Sequence, residues 1–80
     1  MKTPSQEDQW REVEEALRIA LEHLRGEISG EDIDLFEEFI ENREYEIAHH
    51  FISSVIARTG VRVDATVLRA LGDVARLLNL

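Results

Sequence analysis

Glu46, His49 and His50 form the tightest mixture of carboxylate and imidazole in the chain, and helical spacing brings Glu46 within reach of either histidine. That is the beginning of a metal site. Adjacent histidines face different ways, however, and a bundle metal site needs further carboxylates or histidines from facing helices. His23 is too isolated in sequence to join them and reads as a surface or boundary residue. Ser53 or Ser54 could act as a nucleophile beside a histidine and a carboxylate, yet both sit within a helical pattern, without an oxyanion cradle or a strained turn. Glu44 and Glu46 are paired carboxylates with no cleft to separate their pKa values into acid and base. Gly26, Gly30, Gly60 and Gly72 are too scattered to cradle a phosphate; the first three read as turns, and Gly72 as a site of close helix packing. The chain has no cysteine, which excludes a thiol nucleophile, a disulfide framework and a cysteine-rich zinc site. These residues predict a non-enzyme with no catalytic group, no metal and no cofactor.

A second pattern is electrostatic. Glu31, Asp34, Glu38 and Glu41 recur at three- and four-residue steps, which places them on one face of a helix. Residues 27–46 carry nine acidic groups and one arginine, so this segment alone has a net charge of -8, equal to that of the whole 80-residue chain. The segments on either side, at -2 and +2, cancel. One reading is a solvated face that aids solubility. The other is a binding face, because like charges at these spacings cost helix stability unless a complementary surface meets them. A basic protein fits such a face, with Glu44 and Tyr45 at its end and with Tyr45 and Phe39 as candidate anchors for specificity. Arg58, Arg62, Arg69 and Arg76 make the last third mildly basic, but the acidic segment repels polyanions. No direct nucleic-acid binding and no attraction to an anionic membrane are predicted. The late arginines are expected to pair with the acidic helix instead.

Four helices position these groups. Ser5, with Pro4 outside it and Asp8 three residues on, caps a first helix whose apolar stripe runs through Trp10, Val13, Leu17, Leu21 and Leu24 to a stop at Gly26. Ser29 caps a second, with Ile33, Phe36, Phe39 and Ile40 on its stripe and Leu35 alongside. Asn42-Arg43 breaks the pattern, and Tyr45, Ala48, Phe51 or Ile52, Val55 and Ile56 renew it through about Arg58. The β-branched content of Phe51 to Ala57 permits a rival strand there, but the helical spacing extends further. Thr59-Gly60 ends the third helix, and Val61-Arg62-Val63 is an extended connector whose two valines cover the core edge. Asp64 caps a fourth, with Val67, Leu68, Leu71, Val74 or Ala75 and Leu78 on its stripe, reaching almost to Leu80. Trp10, Phe36, Phe39 and Phe51 are predicted core residues. The result is an all-α, compact four-helix domain with short connections, a single domain over residues 1–80, with helices of about 20, 13, 15 and 15 residues. The opening residues hold no apolar run of signal-peptide length, so a chain read as complete from Met1 is expected in the cytoplasm.

At Glu44-Tyr45-Glu46-Ile47-Ala48 the sequence resembles the short motif of MafI-type immunity proteins, small bacterial helical proteins that neutralise cognate polymorphic toxins. The order around it is similar over some sixty residues, from the capped acidic helix at Ser29 to the leucine-rich last helix. Glu44 stands at the acidic position before the motif aromatic, Tyr45 at that aromatic and Ala48 at its small residue, while Arg43 stands where such a motif often has glycine. The resemblance implies an immunity protein that binds a cognate toxin; joined to the acidic face, it predicts a basic toxin domain, a nuclease among the fitting classes, with Glu31, Asp34, Glu38, Glu41, Glu44 and Tyr45 as candidate contacts. The alternative is a small homo-oligomeric or regulatory protein-interaction module. Either role is compatible with a monomer or a weak homodimer.

Overall fold

Val13, Leu17, Leu21 and Leu24, with Ala16 and Ala20 between them, fall on one side of a 3.6-residue turn, and all six are buried. They belong to α1, Gln6–Leu24, in a computed structural model that describes residues 6–80. The predicted Ser5 cap lies outside the described residues. The backbone after α1 turns left-handed at Gly26, with φ +83°, a conformation that glycine adopts without a Cβ clash.

Each later helix starts or stops where its own residues provide hydrogen bonds. Ser29 Oγ accepts the Asp32 N–H at 3.2 Å and opens α2, Gly30–Glu41, which buries Ile33, Phe36 and Ile40. α3, Tyr45–Thr59, buries Tyr45, Ala48, Ile52 and Val55 and closes on left-handed Gly60, whose N–H reaches the Ile56 carbonyl at 3.0 Å. The rival strand over residues 51–57 does not form, because the spacing of Ala48, Ile52 and Val55 keeps that stretch on one helical face against the core. Residues 61–64 are an extended connector in which Val63 packs against the core. Asp64 Oδ1 then accepts the Val67 N–H at 2.9 Å and opens α4, Ala65–Leu78.

The turn between α2 and α3 carries a strained residue. The Arg43 N–H bonds the Ile40 carbonyl at 3.0 Å and the Glu44 N–H bonds the Phe39 carbonyl at 2.9 Å, a Schellman pair that needs a left-handed residue at position 43. Arg43 supplies it with φ +60°. The left-handed conformation costs an L-residue roughly 1–2 kcal/mol, partly offset by the greater freedom that glycine loses on folding. Arg43→Gly therefore stabilises the domain by about 0.5–1 kcal/mol in urea unfolding; a loss of stability would contradict this reading of the turn.

α1 packs against all three other helices, most extensively against α4, and α2 packs on α3. The core is one cluster drawn from all four. Three predicted placements are corrected. Trp10 is not core but 38% exposed, because α3 begins at Tyr45, level with Glu14, and leaves the first turns of α1 uncovered on that side. Leu68 is 60% exposed, one position round the helix from the buried stripe of Val67, Leu71 and Val74. Gly72 is exposed, with open space where a Cβ would lie, so it mediates no close packing. Among the described residues no helix is long and apolar enough to cross a membrane.

Candidate protein-interaction face

Opposite the buried stripe of α2, Glu31, Asp34, Glu38 and Glu41 form an exposed ridge, and among the described residues none of their carboxylates has a hydrogen-bond or ion-pair partner. The acids beside them are neutralised. Asp32 lies 3.4 Å from Arg58 of α3, and Glu37 lies 3.4 Å from Arg25 at the end of α1. Of the late arginines expected to meet the acidic helix, only Arg58 does so. Arg76 pairs with Asp73 of its own helix at 3.2 Å, and Arg62 and Arg69 make no ion pair. Within residues 27–46 the unmatched negative charge thus falls on the ridge, at exposed Glu44 beyond its end and at exposed Glu27 before its start.

An apolar strip borders the ridge on the α3 side. Leu35 and Phe39 follow the acidic residues round α2, and Phe39 meets Phe51 of α3 edge-to-face, with ring centroids 5.4 Å apart. Both rings are half-buried. Leu35 lies one turn before Phe39 and Ile47 one turn before Phe51 on the antiparallel neighbour, so the aromatic pair is flanked at both ends. Leu35 is 41% and Ile47 51% exposed. Such side chains, beside a row of unpaired charge, are what a docking surface needs for anchorage and orientation together. The sequence held a signal for them: both lie off the buried stripe by about 100° or more when placed on a 3.6-residue turn.

Tyr45 departs from the expected anchor role. It is buried at 7% exposure, and its hydroxyl donates to Glu14 Oε1 at 2.7 Å, while Arg18 Nε donates to Glu14 Oε2 at 3.1 Å. This junction is therefore internal to the bundle: Tyr45 ties the start of α3 to α1. The hydrogen bond from Tyr45 holds the Glu14 carboxyl below its ordinary value, despite burial, with Arg18 adding to the effect. Burial, then the same carboxylate, pushes the Tyr45 hydroxyl up to about 12. A raised value in the folded state means that the bond's contribution is complete below pH 10, the ordinary value, and is lost as pH rises towards 12. Because Tyr45 is the only tyrosine, the ultraviolet absorbance of tyrosinate reports it alone, and its midpoint should lie near 12; a midpoint near 10 would show the bond to be absent.

The candidates for covalent or metal chemistry are dispersed. His50 Nε2 lies 4.0 Å from Glu46, whereas His49 is turned inward, its Nδ1 without a partner and its pKa pushed down by burial, against the pull of the Leu71 carbonyl. Among the described residues no three histidine or carboxylate groups converge as metal ligands. His23, isolated in the sequence, is brought to Asp64, with 3.2 Å between Nδ1 and Oδ2. The Val67 N–H and then His23 hold the Asp64 carboxyl below its ordinary value, a helix cap reinforced from α1. No family model matches the chain, and searches of curated proteins and solved structures return no match.

Proposed function

We propose that the protein is an immunity protein that binds and neutralises a cognate bacterial toxin domain of basic surface, acting in the cytoplasm as a stoichiometric inhibitor. The observation that carries this reading is the unpaired ridge of Glu31, Asp34, Glu38 and Glu41 beside the strip of Leu35, Phe39, Phe51 and Ile47. The ridge steers a positively charged partner and sets its orientation, and the strip supplies the desolvated contact that charge alone does not give. Nuclease toxins are a fitting class because they need positive surface to hold nucleic acid. The resemblance at residues 44–48 supports the same role, with Tyr45 and Ala48 as packing residues and the outer faces of α2 and α3 as the contact.

Co-expression with a candidate basic toxin domain, sought first in the genes adjacent to this one, tests the proposal. Cells making both should grow while cells making the toxin alone should not. Growth arrest in both, with the inhibitor present in soluble folded form, would overturn it.

A further inference from the structure

α1 carries a second exposed pattern, on residues that the α2–α3 face does not use. Its outward side borders an open groove of about 740 Å³ that reaches the turn at Arg43 and Tyr45. Down that side run Arg11, Glu15, Arg18 and Glu22, in steps of four, three and four, a single stripe within about 60° of arc and about 16 Å long. The signs alternate. Arg11 and Glu15 form no ion pair with each other although their spacing permits one, while Arg18 and Glu22 have intramolecular partners in Glu14 and Arg25.

This order is self-complementary. When two copies of α1 lie antiparallel about an axis level with Ala16 and Leu17, Arg11 of each copy faces Glu22 of the other and Glu15 faces Arg18, giving four contacts of opposite sign and none of like sign. Parallel pairing sets every residue against its own charge. Sliding one copy by four residues sets Arg11 against Arg18, or Glu15 against Glu22. Among twofold pairings this direction and register make the most contacts of opposite sign, since a slide of seven residues keeps only two of the four. Trp10 and Ile19, exposed apolar residues of the same groove, gain partial cover in such a pair.

We infer that the outer face of α1 is a homodimer surface whose occupant is a second copy of this chain, paired antiparallel through Arg11, Glu15, Arg18 and Glu22. One short helix face buries less than the roughly 1,200 Å² of a standard interface, so the dimer is weak and forms at high protein concentration. The inference is independent of toxin binding, since the two faces share no residue.

Sedimentation equilibrium of the whole protein up to about 1 mM tests it. The wild-type mass should rise from 9.2 kDa towards twice that value with concentration and fall back in high salt. Glu15→Arg changes a side chain with no intramolecular ion pair and sets like charge against Arg18 twice, so self-association should weaken at least tenfold. The double variants Arg11→Glu/Arg18→Glu and Glu15→Arg/Glu22→Arg have stripes of one sign each; alone each should remain monomeric, and mixed they should form a one-to-one heterodimer. A wild type that stays monomeric throughout, a Glu15→Arg protein that associates as the wild type does, or folded double variants whose mixture does not associate would each overturn the inference.

Discussion

Replacing Glu31, Asp34 and Glu38 by lysine should slow association with the proposed basic partner by about ten- to a hundredfold at low salt, with a much smaller change in dissociation. The three reversals take residues 27–46 from a net charge of -8 to -2, on a surface where no neighbouring cation already screens it. Encounter depends on that field, whereas the lifetime of the complex depends on the desolvated strip beside it. Raising the salt shrinks the Debye length from about 10 Å at 0.1 M to 3 Å at 1 M, so the difference between variant and wild type should narrow as salt is added. The fold survives the change: all three side chains are exposed and unpaired, and the main cost is that of lysine in place of Glu31 in the first turn of α2, about 1 kcal/mol or less. Stopped-flow association rates measure the effect. Rates and salt dependence equal to those of wild type would remove the ridge from the contact.

Phe36→Ala has the largest expected effect on folding. The ring is fully buried in the common core of the four helices, and truncation of such a side chain costs about 3–5 kcal/mol. At roughly 0.05–0.15 kcal/mol per residue, a chain of this length holds about 4–12 kcal/mol in total. The variant should therefore lose about a quarter or more of its stability in urea unfolding, and unfold partly in buffer if the wild type lies at the low end. Phe39→Ala separates packing from recognition: its ring is half-buried in the strip, so it should weaken partner binding while costing less stability than Phe36→Ala. Equal stability losses at the two positions would place Phe39 in the core and take it out of the docking surface.

The four helices were legible because their signals are local. Serine and aspartate caps at residues 29 and 64, glycines at 26 and 60, and apolar residues at three- and four-residue steps each act within a turn or two of chain. The exposure of the ridge was legible for the same reason, since it lies opposite Ile33, Phe36 and Ile40 on one helix. What escaped depends on where helices stop relative to one another. Trp10 has the spacing of a core residue and lacks cover only because α3 starts a turn too late to reach it. Tyr45 sits in a motif next to the acidic helix, yet its hydroxyl belongs to Glu14, 31 residues away. The pairing of His23 with Asp64 spans 41 residues and has no sequence signal at all. Arg43 is the converse case: a left-handed residue at the end of α2 was foreshadowed by the glycine that often stands there in the resembling motif.

Amide shift mapping by NMR tests the docking claim most directly, with labelled protein titrated by a basic toxin domain of the class proposed as its partner. Stoichiometric binding with the largest perturbations over residues 31–41 and 47–54, on the outer faces of α2 and α3, is the predicted result. No binding, or perturbations confined to α1 and α4 while the ridge and strip remain unchanged, would contradict it.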